Sequence, residues 1–244
     1  MDESARRPHR VAFFGGSFDP PHQGHLAVAQ AALQALSLDS VLFAPVGAQP
    51  LKPLGSSASF EDRLAMTRLA IAEEPRFAVS LADAPKPGAK PNYTIDTLLS
   101  LRTELAPDGD LFCLMGADSF FGLRKWHRSV EIPFVAPLIV ASRPGQPIDD
   151  LRAALPDGLT MEEPSKLSPS APGSPVTRLD VRAYTLCNAA GEAAPLYVLP
   201  GLHVEISASQ VREQIGNAAD APVAGSDALC SVVLGYIRSH GLYR

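Results

Sequence analysis

The chain has 244 residues, of which 46% are hydrophobic and 19% charged, a composition typical of a globular protein. Its formal net charge of −5 argues against a general nucleic-acid or anionic-membrane binder, because such proteins need an extended basic face. The three cysteines show neither metal-ligand spacing nor a disulfide framework, and no segment resembles a secretory signal or a membrane span. We therefore expect a cytoplasmic protein with no nucleic-acid partner and no membrane association.

Short apolar runs alternate with helical patterns along the first part of the chain. Strands are predicted at residues 10–14, 40–44, 77–81, 110–115 and 134–141. Helices are predicted at residues 26–36, 60–73 and 94–105. Continuous apolar strands that alternate with helices indicate an α/β fold, a Rossmann-like doubly wound parallel sheet with helices on both faces.

The composition changes over residues 156–200, which are rich in proline, serine, glycine and alanine. We interpret this stretch as an insert within a single domain that spans residues 1–244. Strand-like pieces remain within it at 176–186 and 196–199. Helical patterns follow at 207–215 and 227–240.

The most informative segment follows the first predicted strand and reads Gly-Gly-Ser-Phe-Asp-Pro-Pro-His-Gln-Gly-His-Leu over residues 15–26. In an open α/β sheet, ligands bind at the carboxyl ends of the strands, and a helix start offers free N–H groups to phosphate. Gly15 and Gly16 allow the backbone to approach a ligand closely, and His22 and His25 can donate hydrogen bonds to phosphoryl oxygens. The segment is neither a dinucleotide-binding fingerprint nor a P-loop. The alternative is a glycine turn with two incidental histidines.

A second candidate anion site lies at residues 206–212, which read Ile-Ser-Ala-Ser-Gln-Val-Arg. Ser207 and Gln210 have the spacing of a capping box, so a helix is predicted to begin here, with Ser209 and Arg212 near its start. An ordinary capped helix is the alternative. Taken alone, Asp118 after the strand at 110–115 is interpreted as a helix N-cap.

The first segment resembles the His-x-Gly-His signature of the nucleotidyltransferase superfamily, and its full run closely resembles that of the bacterial nicotinate mononucleotide adenylyltransferases. The resemblance implies a nucleotidyltransferase domain that moves the adenylyl group of ATP to nicotinate mononucleotide in NAD biosynthesis and releases pyrophosphate. Mg²⁺ would arrive bound with ATP, because no dedicated carboxylate cage is visible, and no side-chain metal site is predicted. The oligomeric state is open, with a homo-oligomer as one option.

The resemblance also assigns roles to individual residues. Catalysis at the reacting phosphates falls to His22, His25 and Arg212. The ATP site would include Gly15, Gly16, Ser17, Phe18, Lys52, Asp118, Ser207 and Ser209. The pyridine nucleotide would contact Tyr93, Thr94, Trp126 and His127. The segment 241–244, Gly-Leu-Tyr-Arg, matches a common family ending.

The sequence departs from the family pattern in two places. Ala208 stands where the family has a hydroxyl residue, and the run 48–53 contains Lys52 but lacks the family's histidine. Two other functions remain open: the same chemistry on the amide mononucleotide or phosphopantetheine, and an inactive nucleotide-binding or regulatory module. The aromatic residues Tyr93 and Trp126 favour a pyridine ring, and the intact signature histidines argue against an inactive module.

Overall fold

The computed structural model describes residues 8–52, 55–105, 109–142, 147–163, 181–199, 207–217 and 228–244. Within these ranges the strands are β1 (Arg10–Gly16), β2 (Ser40–Pro45), β3 (Phe77–Val79), β4 (Asp110–Gly116), β5 (Leu138–Ala141), β6 (Leu159–Glu162), β7 (Arg182–Asn188) and β8 (Ala193–Leu199). The α-helices are α1 (Gln23–Ala35), α2 (Phe60–Ile71), α3 (Thr94–Glu104), α4 (Ala117–Phe121), α5 (Ile132–Val135), α6 (Ile148–Ala153), α7 (Ala208–Asn217) and α8 (Ser231–Ser239). None of these described helices is long and apolar enough to cross a membrane.

The described strands form one sheet in the order β3-β2-β1-β4-β5-β8-β7-β6. From β3 through β8 in this order, every neighbouring pair is parallel. The chain moves outward from β1 to β3 and then returns to β4 on the other side of β1, which is the doubly wound arrangement. Ligands of such sheets bind where the strand order reverses, here at the carboxyl ends of β1 and β4.

Alternating side chains of the strands pack into two separate apolar cores. Phe13 and Cys113 belong to a core that includes residues of α3, α4 and α5. Ala12, Phe14 and Leu114 belong to a core that includes residues of α1 and α2. Because successive strand residues point to opposite faces, helices cover both sides of the sheet. The predicted Rossmann-like α/β fold is therefore confirmed.

A third apolar cluster joins the last two helices to α2. Val211 of α7 and Val233 and Ile237 of α8 pack with Met66 of α2. This packing fixes α7, which carries Arg212, beside the helix that follows the second strand. The cluster therefore positions the second predicted anion site.

The predicted strand at 134–141 is wrong in its first half, where the chain forms the short helix α5 before β5 begins at Leu138. Pro133 lies in the first turn of α5, where the missing proline N–H costs no helical hydrogen bond. Both elements are buried, and a buried helical turn has the same apolar composition as a buried strand. Periodicity alone therefore could not separate them.

The sheet also differs from the expected all-parallel arrangement at one edge. β7 pairs antiparallel with β8, and β6 pairs antiparallel with β7. The turn between β7 and β8 contains Gly191 at φ 81°, a left-handed conformation that glycine adopts without strain. Neither β6 nor α6 was predicted from the sequence.

Three strands lie within the predicted insert at 156–200, and β8 continues the parallel sheet beside β5. The described parts of this segment therefore extend the sheet. Its proline- and serine-rich middle, 164–180, lies outside the described residues, as does the beginning of the strand-like piece at 176–186. The assignment of 1–244 to a single domain stays a prediction.

Candidate active site

The two signature histidines lie at the start of α1 and cap it. The Gly24 N–H donates to Nδ1 of His22 at 3.1 Å, and the His22 N–H donates to Nδ1 of His25 at 3.2 Å. Because each Nδ1 accepts a hydrogen bond, the proton of each neutral ring resides on Nε2. The ring centroids lie 3.8 Å apart, so the helix start presents two neighbouring N–H donors.

Both imidazoles are neutral near pH 7. Burial lowers the pKa of His22 to about 4. Burial and the neighbouring His22 lower the pKa of His25 well below its usual range. A phosphate placed beside them would raise both pKa values, because an anion favours the charged imidazolium.

Asp19 lies between the glycines and the histidines and holds this loop in place. Its side chain is 4% exposed, and it accepts hydrogen bonds from the Ser57 N–H at 2.6 Å and the Ala58 N–H at 3.1 Å. Arg212 Nη1 donates to the main-chain oxygen of Asp19 at 2.7 Å, across 193 residues of sequence. The structure therefore brings the two signature segments together.

Cationic side chains face the glycine-rich loop, which we define as residues 15–21, at the end of β1 and before α1. Lys52 Nζ donates to the Ser17 hydroxyl at 2.9 Å, and that hydroxyl donates to the Gln49 side chain at 3.2 Å. Arg212 Nη2 donates to the Ser209 hydroxyl at 3.2 Å. Burial lowers the pKa of Lys52, and the nearby Arg212 lowers it further, while Asp19 opposes both effects. Cations that destabilise one another in this way favour a bound anion.

Arg63 of α2 is a site residue that sequence reasoning missed. It is 2% exposed, and it donates to the Ser17 carbonyl at 2.6 Å and to the Val46 carbonyl at 2.8 Å. These bonds fix the glycine-rich loop against the end of β2. A signal existed in the sequence, since Arg63 falls on the helical face that also buries Met66 and Thr67.

The residues predicted around the pyridine ring lie at the start of α3 and after α4. The Tyr93 and His127 rings have centroids 4.4 Å apart and an interplanar angle of 36°. Tyr93 is the N-cap of α3 but makes no side-chain capping bond. Among the described residues, none accepts a hydrogen bond from the N–H of Thr94. Trp126 is half-buried against the core on this face of the sheet.

Asp83, a buried carboxylate, connects the segment after β2 to α3. The main-chain oxygen of Asp83 accepts from the Gly47 N–H at 2.7 Å, and its carboxylate accepts from the Thr97 hydroxyl at 2.5 Å. A Cβ at Gly47 would lie 2.5 Å from Pro85 Cα, so only glycine fits there. Burial raises the pKa of Asp83. This network fixes the distance between the two halves of the candidate site.

The remaining predicted site residues are placed as follows. The Phe18 ring is 1% exposed and packs edge-on against His25, so it supports the histidine from the core. Asp118 is exposed in the first turn of α4, where the N-cap is Gly116, so its interpretation as an N-cap is wrong.

The capping box is confirmed: the Gln210 N–H donates to the Ser207 hydroxyl at 3.2 Å, and the Ser207 N–H donates to the Gln210 side chain at 2.9 Å.

Gly15 and Gly16 end β1 at the switch point of the sheet. A Cβ at Gly15 would lie 2.8 Å from the Phe13 ring. A side chain at either glycine would therefore press on an aromatic ring of the core, Phe13 or Phe18.

The family model for Cytidylyltransferase-like proteins matches residues 13–214. Two relatives named "Probable nicotinate-nucleotide adenylyltransferase" align along almost the whole chain. The protein of Dechloromonas aromatica is 35% identical over 234 residues, covering 96% of this chain and 97% of its own. The protein of Chromobacterium violaceum is 38% identical over 236 residues, covering 96% of this chain and 99% of its own. Both alignments thus run through residues 156–200.

The chain belongs to the nicotinate-nucleotide adenylyltransferase family. The fold agrees with this assignment. A Plasmodium falciparum nicotinic acid mononucleotide adenylyltransferase, solved as a complex with NaAD, superposes with a TM-score of 0.65 at 15% identity over 96% of this chain and 97% of its own. At that identity the likeness concerns the fold of the family.

The first prediction concerns the two histidines. His22→Ala and His25→Ala should each lower kcat by about 100–1,000-fold, the usual effect of removing a donor aimed at developing charge. The dissociation constant for ATP should change much less. Steady-state kinetics and calorimetry test this, with Gln23→Ala as the control, because Gln23 is exposed on the same turn. Turnover near wild type in either histidine variant would remove that histidine from the mechanism.

The second prediction concerns stability and pH. The unfolded chain protonates His22 near its ordinary pKa of 6.5, whereas the folded chain does so only near pH 4. The contribution of His22 to the free energy of unfolding is therefore fully present above pH 6.5 and is lost as the pH falls towards 4. The loss from this group is ~2 kcal/mol at pH 5.

His22→Asn keeps an N-cap acceptor and removes the titration. Denaturant unfolding of the ligand-free protein between pH 8 and 5 should show a shallower pH dependence in this variant. Carboxylates titrate in both proteins and cancel in the comparison. Identical slopes would contradict the assignment of a neutral, buried His22.

Proposed function

We propose that this chain transfers the adenylyl group of ATP to nicotinate mononucleotide, forming nicotinate adenine dinucleotide and pyrophosphate in NAD biosynthesis. One observation carries the proposal: the two Nε2–H donors at the start of α1 directly follow the loop whose Asp19 main-chain oxygen accepts a hydrogen bond from Arg212 of α7. Membership in the nicotinate-nucleotide adenylyltransferase family supports the same reaction.

The reaction is an in-line displacement at phosphorus. A phosphate oxygen of the mononucleotide attacks the α-phosphorus of ATP, and the bond to the oxygen that bridges the α- and β-phosphates breaks. Pyrophosphate leaves with that electron pair. The attacking group is already an anion, so no general base is required. The chain's task is to hold two anions in line and to neutralise charge as it develops.

His22 and His25 would donate their Nε2–H groups to the oxygens of the transferring phosphoryl group. The start of α1 adds the positive end of a helix dipole. Lys52, Ser209 and Arg212 would hold the β- and γ-phosphates, and Ser17 would sit between Lys52 and the loop. At these positions, the positive charges of Lys52 and Arg212 would neutralise the negative charge of the leaving pyrophosphate.

We expect Mg²⁺ to arrive with ATP, on the phosphate oxygens. The described residues contain no group of three or more His, Cys, Asp or Glu side chains that could hold a metal ion. The ion would supply neutralisation of phosphate charge, while the residues above position the phosphates. A cytoplasmic location and the oligomeric state stay predictions.

The acceptor would bind between α3 and the segment after α4. Its pyridine ring would lie against Trp126 and the Tyr93–His127 pair. The first-turn N–H groups of α3, beginning with Thr94, would meet the carboxylate of nicotinate. A helix start favours an anion over a neutral amide, so this geometry favours the acid form.

The third prediction is a strong preference for nicotinate mononucleotide over its amide analogue. Charge-assisted hydrogen bonds to the carboxylate contribute about 1.5–3 kcal/mol each, and the amide NH₂ would face these donors with another donor. Trp126→Ala should raise KM for both acceptors while the acid-over-amide ratio of kcat/KM stays nearly constant, because stacking serves either ring.

The measurement is pyrophosphate release with ATP, Mg²⁺ and each mononucleotide in wild type and variant. Phe121→Ala is a suitable control, since Phe121 is an exposed aromatic residue of the neighbouring helix α4. Equal use of acid and amide by wild type would replace the nicotinate assignment with a broader pyridine-nucleotide adenylyltransferase.

A further inference from the structure

Tyr243, in the turn that follows α8, contacts both signature segments. Its hydroxyl donates a hydrogen bond to Oδ1 of Asp19 at 2.8 Å, in the histidine-bearing loop. Its main chain packs against α7, where a Cβ at Gly216 would lie 3.3 Å from the Tyr243 carbonyl oxygen. One residue therefore touches the loop that carries the histidines and the helix that carries Arg212.

The backbone at this contact is unusual on both sides. Tyr243 has φ 63°, and Phe18, immediately before Asp19, has φ 47°. Bulky residues rarely adopt this left-handed conformation, and they keep it only where surrounding contacts hold it. One of these residues precedes Asp19 in the chain and the other donates to its carboxylate, which indicates that the position of Asp19 is tightly determined.

Tyr243 and Arg212 both bind Asp19, so the position of one bears on the position of the other. Arg212 Nη1 lies 3.9 Å from Oδ2 of Asp19 while it donates to the main-chain oxygen of Asp19 at 2.7 Å. Oδ2 already accepts from the Ser57 N–H, and Oδ1 accepts from the Ala58 N–H and the Tyr243 hydroxyl. The carboxylate is thus held by two backbone N–H groups and Tyr243, while Arg212 binds the same residue through its main-chain oxygen and the ion pair at 3.9 Å. Burial and the bond to Asp19 raise the pKa of Tyr243, so its hydroxyl keeps its proton.

We propose that Tyr243 is a positioning residue for the ATP phosphates: its hydrogen bond to Asp19 holds that residue in place, and Asp19 in turn holds Arg212 where the guanidinium can meet the β- and γ-phosphates. Without the hydroxyl, Oδ1 of Asp19 loses one of its donors, and Asp19 no longer fixes the position of Arg212. This role rests on the proposed function, because it assumes that Arg212 meets those phosphates.

The test is Tyr243→Phe, which removes only the hydroxyl. KM for ATP should rise about tenfold, the scale of one hydrogen bond to a charged group, while kcat and KM for nicotinate mononucleotide change less than about twofold. In the reverse direction, KM for pyrophosphate should rise by the same factor and KM for the dinucleotide should not. A general loss of stability would not select these two ligands.

The matched control is Tyr236→Phe. Tyr236 lies in α8, and its hydroxyl donates to Asp62 of α2 at 2.9 Å, so this variant loses the same kind of bond without touching Asp19. It should leave every KM unchanged. The proposal is overturned if Tyr243→Phe raises KM equally for both substrates, if it only lowers the melting temperature, or if Tyr236→Phe has the same effect.

The proposed function is tested separately, by whether the wild-type protein transfers an adenylyl group at all. If wild type transfers no adenylyl group, calorimetry still tests Tyr243, with ATP and Mg²⁺ compared to AMP, which lacks the β- and γ-phosphates. Tyr243→Phe should weaken ATP binding about tenfold and leave AMP binding unchanged. Equal weakening of ATP and AMP, or of neither, overturns the proposal.

Discussion

The candidate site depends on the contacts of Asp19 more than on any other interaction. Its carboxylate is buried and fastens the histidine loop to the start of α2, while its main-chain oxygen holds Arg212 from the far end of the sequence. A buried carboxylate is stable only when its oxygens are hydrogen-bonded or paired. The two backbone N–H groups and Tyr243 meet that requirement. Together with the bond from Arg212, they join the starts of α1 and α2 to α7 and to the turn after α8. The residues proposed to be catalytic are thus placed by the same bonds that stabilise the buried charge.

Neutral histidines suit a reaction in which no proton needs to move. In each ring, Nδ1 accepts a hydrogen bond from a backbone N–H at the start of α1, so Nε2–H remains available as a donor. A donor whose tautomer and direction are already fixed needs no reorganisation when charge develops on the phosphoryl oxygens. The same burial lowers the free energy of unfolding of the ligand-free protein at low pH. Catalytic preorganisation and acid sensitivity therefore have one physical origin in His22 and His25.

Local patterns in the sequence predicted the parts of this structure that local physics determines. The strand, glycines and histidines at 10–26, and the capping box of Ser207 with Gln210, depend on neighbours a few residues away. The short helix α5 could not be separated from β5, because both are buried and apolar. Tyr243 and Asp83 act through partners far along the chain, and only the fold brings them to the site. Arg63 lies between these cases, since a charged residue on an apolar helical face indicates a buried role without naming its partner.

The site also shows how an acidic protein can bind two anions. The formal charge of the chain is −5, yet Lys52, Arg63 and Arg212 lie around the carboxylate of Asp19. Burial lowers the pKa of Lys52, and repulsion from Arg212 and Arg63 lowers it further; a bound phosphate would relieve that repulsion. Arg63 donates to two carbonyl groups, so its charge stays beside the glycine-rich loop. Lys52 is exposed and can turn from Ser17 to a ligand. The run 48–52 lacks the histidine common in the family, but its lysine still reaches the glycine-rich loop. Local placement of charge, and not net charge, therefore decides where the nucleotide binds.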